Sequence, residues 1–329
     1  MKFSLLSSLS LAALAFAAPS EKRSVSAADL AKLKHYAQWT AAASCNVPST
    51  PGAKITCGNN ECDTLQDHNA TVVGSVIGTV LDTRGFVGID HVDKVIVLSF
   101  QGSVSLRTWI VDFIFAQIPC DLTFGCLVHT GFFASWLEIA SSATALVKQA
   151  KAANPTYQVV ATGYSLGAAV STIGAGYLRK DGIPVDLITY GSPRVGNNAF
   201  AKFITNQAGL EMRATHKDDP VARLPPIIFN YRHTSPEYWF DEGSDGIVTT
   251  DEVKVCTGHA NIACNGGTTG FDLTVHEFYF QGLVSCRPAE MPFKARAAGT
   301  LNDAEIAEQL NKWVALDREL VKTLPAGEK

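Results

Sequence analysis

The sequence predicts an α/β domain with a mainly parallel central sheet and helices on both faces. Three observations carry that expectation. Continuous apolar, β-prone runs of buried-strand type recur at 94–100, 157–162 and 184–190. Stretches of helical period lie between them, so strands and helices alternate along the chain. One strand enters a Gly-x-Ser-x-Gly turn at Gly163 to Gly167, and small residues at helical spacing leave it.

Taken in order, Lys2 precedes an apolar run from Phe3 to Ala18 that closes on Ala15-Phe16-Ala17. It is too short to span a bilayer and reads as a secretory signal, 1–18. Lys22-Arg23 directly behind it reads as the junction of a short propeptide, 19–23, which starts the mature chain at Ser24; the alternative is two solvated charges. A helix is expected from Ser26 to Ala43, with Leu30, Leu33, Tyr36 and Ala37 on one side. Val72–Leu81 and Arg84–Ile89 read as a hairpin, followed by the strand at 94–100. Trp136, Leu137, Ala140, Leu146, Val147 and Ala150 set a helix that Asn154-Pro155 ends. After the serine turn come a helix through Leu178, a strand over 184–190, a helix with Phe200, Phe203 and Ile204 inward, and a strand near Met212 to Thr215. The α/β domain is read as 24–288. Beyond it, 289–329 is a linker-like stretch with Lys294 and Arg296, then an amphipathic helix opened by Asn302 and Glu305 in capping-box spacing. That helix either docks on the domain, is removed by processing, or contacts a lipid surface.

Composition narrows the function. With 329 residues, 47 % hydrophobic and 18 % charged, the chain can bury a sizeable core. A formal net charge of −4 gives no basic excess, which argues against nucleic acid as a partner. No later segment approaches membrane-spanning length, and no obligate protein partner is evident. Eight cysteines in a secreted chain point to four disulfides. Cys57–Cys62, Cys120–Cys126 and Cys256–Cys264 each enclose a short polar loop, which leaves Cys45–Cys286 to join the ends of the domain. No Cys-x-x-Cys occurs, and neither a metal nor an organic cofactor is implied. Asn69-Ala70-Thr71 is a glycosylation sequon and marks an exposed loop.

The chemistry centres on Ser165. A tight turn between strand and helix holds the serine in a strained backbone conformation, and the flanking glycines let strand and helix approach. The hydroxyl then stands at the helix N-terminus, where the N–H of Leu166 can hold an oxyanion. A nucleophilic serine needs a base within hydrogen-bond reach and a carboxylate that fixes the base's tautomer. Residue types alone leave Asp218, Asp219, Asp241 and Asp245 against His233, His259 and His276.

Several blocks in fixed order resemble the secreted fungal class 3 lipases of the α/β-hydrolase superfamily: Val95–Trp109 (VIVLSFQGSVSLRTW), Val128–Phe132 (VHTGF), Thr162–Ala169 (TGYSLGAA), Thr189–Phe200 (TYGSPRVGNNAF), Asp219–Pro226 (DPVARLPP), Ser235–Trp239 (SPEYW) and His276–Cys286 (HEFYFQGLVSC). The resemblance spans about Tyr36 to Cys286. It implies an α/β-hydrolase fold with a helical lid, and a secreted enzyme that cleaves acylglycerol esters at a lipid–water interface. It places Asp219 at the acid position, with Asp218 as the fallback, and His276 at the base. His233 and His259 are then surface or structural. Ser103 matches the second oxyanion position, or is only a polar turn residue.

The lid falls on 105–115, where Leu106, Trp109, Ile110 and Phe113 crowd a short stretch that is apolar on nearly all sides. The alternative is a buried core helix, which would show one apolar face. An opening lid implies a rise in activity once substrate passes its solubility limit. Tyr164 replaces the histidine usual before the serine, and Ala168 replaces a glycine. Asp218-Asp219-Pro220 and the Cys256–Cys264 pair look more like the branch acting on mono- and diacylglycerols. The competing functions are a feruloyl-type esterase on plant polymers, for which a polar, short lid is expected, and a non-catalytic lipid-binding protein on the same scaffold.

Overall fold

The structure is a computed structural model, and it describes residues 24–103, 107, 110, 114–241, 247–284, 286 and 301–329. The expected signal and propeptide, the linker at 289–300, and the lid residues Leu106, Trp109 and Phe113 lie outside the described residues.

The described chain opens on α1 (Ala27–Cys45), whose N-cap Ser26 accepts the Asp29 N–H at 3.0 Å. A short α2 (Asp63–Asp67) follows and is closed by His68. Then come β1 (Thr71–Ile77), β2 (Arg84–Asp90) and β3 (Val95–Phe100), paired antiparallel in sequence. β4 (Gln117–Pro119) and β5 (Leu127–His129) form a separate small ribbon. The chain next alternates α3 (Thr130–Ala153), β6 (Gln158–Tyr164), α4 (Leu166–Lys180), β7 (Val185–Tyr190), α5 (Asn198–Asn206) and β8 (Glu211–His216). β9 (Glu237–Phe240), β10 (Val253–Cys256), α6 (Leu273–His276) and α7 (Asp303–Thr323) complete it.

The main sheet runs β1-β2-β3-β6-β7-β8-β9-β10. Its middle, from β3 to β9, is parallel, and antiparallel pairs flank it on both sides. Side chains of successive residues point to opposite faces, so each buried strand feeds two cores. Val95 and Val97 pack with Leu33, Tyr36 and Trp39 of α1, whereas Ile96, Leu98 and Phe100 pack with Trp136 of α3, Ile173 of α4 and Phe200 of α5. Neither β9 nor β10 was expected from sequence: each has four residues, too few to show a period.

Cys45–Cys286 closes the ends of the domain across a sequence separation of 241, and Cys57–Cys62, Cys120–Cys126 and Cys256–Cys264 close local loops. In the chain-entropy picture, the first of these removes the most freedom from the unfolded chain. Asn69 is exposed. No helix among the described residues is long and apolar enough to cross a membrane.

The capping box at Asn302 and Glu305 is formed, and α7 turns Ile306, Leu310, Val314 and Val321 inward. Its buried Asp317 accepts the N–H groups of Ile227 and Ile228, each at 2.9 Å, and lies 3.7 Å from the Arg194 guanidinium. Ile306 and Leu310 share a cluster with Ile110, Val221 and Leu224. The C-terminal helix therefore packs on the loop after β8 and on Ile110, a residue of the expected lid.

Candidate active site

β6 ends at Tyr164 and α4 begins at Leu166, so the single residue between them must turn the chain sharply. Ser165 does so at φ 56° and ψ −123°, a region that non-glycine residues rarely enter. The turn is possible only because the two contacts around it lack side chains. A Cβ on Gly163 would lie 2.4 Å from the Gly167 carbonyl oxygen, and one on Gly167 would lie 2.3 Å from the Phe100 carbonyl oxygen. Register with β3 pairs Phe100 with Gly163, so Gln101, Gly102 and Ser103 leave the sheet beside the turn. Leu166 is the first residue of α4, where helix N–H groups have no intrahelical acceptor.

The Ser165 N–H donates to the Tyr190 carbonyl at 3.0 Å, which ties the elbow to the end of β7. The next residue, Gly191, has φ 54° and touches the other two groups. A Cβ there would lie 2.8 Å from His276 Cε1 and 3.0 Å from Asp219 Oδ2. The ring of Tyr164 lies 4.6 Å from that of His276. Serine, histidine and aspartate thus converge around Tyr164 and Gly191, from three separate segments of chain.

Asp219 and His276 are both fully buried, and Nδ1 of His276 pairs with Oδ2 of Asp219 at 2.7 Å. Three further contacts fix Asp219. Oδ1 accepts the Val221 N–H at 2.8 Å, the phenol of Tyr279 donates to Oδ2, and the backbone carbonyl accepts from Asn265 at 3.1 Å. Burial alone would raise the Asp219 pKa. The charge of His276 and the hydrogen bonds from His276, Tyr279 and Val221 outweigh it and hold the carboxyl below its usual range. Tyr279 moves the other way, raised well above 10 by burial and then by Asp219, so it stays a donor.

With Asp219 ionised, the neutral form of His276 donates from Nδ1 and carries its lone pair on Nε2. Nε2 is buried and has no hydrogen-bond partner among the described residues; the Ser165 hydroxyl is not bonded to it in this conformation.

The other candidates fall elsewhere. Asp218 has its Oδ2 against Gly270, Asp241 is exposed, and Asp245 lies outside the described residues. His233 is buried and bonds the Ala222 carbonyl at 2.7 Å, and His259 bonds the His233 carbonyl at 3.0 Å, so both serve backbone acceptors. Ile110 is buried rather than presented to solvent. Sequence reasoning missed Tyr279 and Gly191. Tyr279 stands three residues after His276, but spacing does not say where a phenol points.

Residues 97–229 match the family described as Lipase (class 3). Over 301 residues the chain is 48 % identical to the secreted mono- and diacylglycerol lipase 1 of Fusarium solani, covering 91 % of this chain and 89 % of that one. It is 37 % identical over 305 residues to the secreted mono- and diacylglycerol lipase A of Penicillium camembertii, covering 89 % and 99 %. Among solved structures, the mono- and diacylglycerol lipase of Aspergillus oryzae superposes with a TM-score of 0.75 at 35 % identity, over 78 % of this chain and 98 % of that one. The mainly parallel sheet, the strained serine elbow and these likenesses are those of an α/β-hydrolase, and the chain belongs to the class 3 lipase family.

Proposed function

We propose that the chain is a secreted serine hydrolase that cleaves mono- and diacylglycerols at a lipid–water interface, with Ser165 as nucleophile, His276 as base and Asp219 as acid. The observation that carries the site assignment is the buried Asp219–His276 pair, whose free Nε2 lone pair lies in the cluster around the Ser165 elbow. A rotation of the Ser165 side chain toward Nε2 completes the row. His276 then takes the Ser165 proton as Oγ attacks the ester carbonyl. Asp219 stabilises the imidazolium without taking its proton. The N–H groups of Leu166 and Ser103 hold the oxyanion, each donor worth about 3 kcal/mol in the transition state. His276 next protonates the departing glyceride oxygen, leaving an acyl-enzyme. Water, activated by the same imidazole, releases the fatty acid and restores Ser165.

The preference for partial glycerides is carried over from the relatives' names and rests on 48 % identity. Leader removal at 1–18 and 19–23 belongs to the same proposal, and N-terminal sequencing that begins at Ser24 supports it. The substrate reading is tested by rates on mono-, di- and triacylglycerols of one chain length and on a feruloyl ester, each above and below solubility. Faster cleavage of the partial glycerides supports it. A feruloyl ester cleaved fastest would favour the polymer esterase, and no cleavage of any ester would leave a lipid-binding scaffold.

A further inference from the structure

On the side of α2, His68, Asp90 and Asp93 bring one imidazole nitrogen and two carboxylate oxygens within 4.8 Å of one another. They come from three places: the residue closing α2, the last residue of β2, and the turn into β3. We propose that these side chains form a binding site for one divalent transition ion, best suited to Zn2+, with water completing its shell.

Of the three ligand spacings, one already matches that ion, one must open, and the third lies within 4.8 Å. Tetrahedral zinc holds N and O ligands at about 2.0–2.1 Å, which sets ligand atoms about 3.3 Å apart. Nδ1 of His68 lies 3.5 Å from Asp93 Oδ2, close to that edge, and 2.7 Å from Asp90 Oδ2, a pair that must open by about 0.6 Å to reach it. Asp90 is already oriented for the task. Its Oδ1 accepts the N–H groups of Val92 at 2.7 Å and Asp93 at 3.2 Å, which turns Oδ2 toward His68. Asp90 is fully buried with His68 as its partner at 2.7 Å, while the 38 % exposed Asp93 side chain gives an ion a way in from solvent.

The donor set selects among metals. One nitrogen with two carboxylates suits zinc, whereas Ca2+ requires six to eight oxygens and Mg2+ an octahedron of oxygens. His35 of α1 stands next to the site, with Nε2 3.4 Å from Asp93 Oδ2, but that nitrogen already accepts the Trp39 indole N–H at 3.3 Å and is not counted as a ligand. An ion here would staple α2 to the β2–β3 turn. Its expected effect is on stability. Cysteine spacing could not reveal such a site, because its ligands are a histidine and two aspartates on separate elements.

The test uses the whole secreted enzyme, untagged and freed of metal with EDTA, then titrated with ZnCl2 and separately with CaCl2 by calorimetry and thermal melting. One Zn2+ per chain with saturable binding is expected, with Tm raised by about 5 °C at a hundredfold excess over Kd and no matching response to Ca2+. His68→Gln and Asp93→Asn should each weaken zinc binding tenfold or more; Asp93→Asn should melt in EDTA close to the wild type, whereas His68→Gln, which leaves buried Asp90 without its partner, should melt lower there as well. Absence of one-to-one binding would overturn the site. So would equal zinc binding by wild type and both variants, which would leave His68 as a plain hydrogen-bond partner of Asp90.

Discussion

The phenol of Tyr279 donates to Oδ2 of Asp219, the same oxygen that accepts from His276. Tyr279 therefore holds the carboxylate that orients the base, without reaching the reacting atoms. Hydrogen bonds to charged groups contribute about 1.5–3 kcal/mol. Tyr279→Phe should lower kcat about tenfold with KM little changed, whereas Asp219→Asn, which inverts the tautomer requirement on His276, should lower it by about 10⁴. Initial rates on emulsified diacylglycerol check both, and a Tyr279→Phe enzyme as fast as wild type would remove the positioning role.

Gly191 has no room for a side chain. Its φ of 54° disfavours any Cβ, and one built there would sit 2.8 Å from His276 Cε1. Gly191→Ala should fold with reduced stability and lose at least about a hundredfold in kcat, since a displacement of about 1 Å at a reacting group costs that much. Near-ultraviolet circular dichroism alongside the rate separates a displaced imidazole from a collapsed fold.

How much of this was legible in the sequence follows from where each signal resides. The Ser165 elbow is local: one strand, one turn and one helix within a single stretch, with two glycines whose removal would put Cβ atoms into backbone oxygens. The pairing of Asp219 with His276 is not local. Residue types alone left four aspartates against three histidines, and only the family resemblance narrowed them. Tyr279 and Gly191 carry no local pattern, since their roles arise from side chains that meet across the fold. The amphipathic period of α7 was readable, but Asp317 was not: a lone aspartate on a helix looks like a solvated charge until two amides and an arginine are found around it.

His129 links stability to pH. Its Nδ1 accepts the Phe132 N–H at 3.3 Å and its Nε2 donates to the Ile114 carbonyl at 2.7 Å, so only the neutral ring satisfies both. Burial lowers its pKa from 6.5 to about 4. The unfolded chain takes up this proton below pH 6.5 and the folded chain does not until about pH 4. The stability that this histidine contributes is therefore complete above pH 6.5 and is lost as pH falls toward 4, by an amount on the order of 3 kcal/mol. Buried His233, whose pKa is likewise pushed down by burial and then by Arg213 and Arg194, acts in the same direction. Tm measured from pH 8 to pH 4 should fall over that window, and less steeply in His129→Gln.

Asp317 anchors α7. Asp317→Ala removes the acceptor of two amides and leaves Arg194 buried without its carboxylate, which should cost about 3–5 kcal/mol. Urea denaturation checks the loss. A change under about 0.5 kcal/mol would mean that α7 adds little to the stability of the domain, as a removable propiece would.

The nucleophile is tested most directly by mass spectrometry of the enzyme after reaction with a long-chain phosphonate ester, together with hydrolysis rates for Ser165→Ala. One phosphonyl group on the peptide bearing Ser165, with a rate at least about 10⁴ below wild type in the variant, is the expected result. A label on a different residue, or a Ser165→Ala enzyme that hydrolyses diacylglycerol at the wild-type rate, would contradict it.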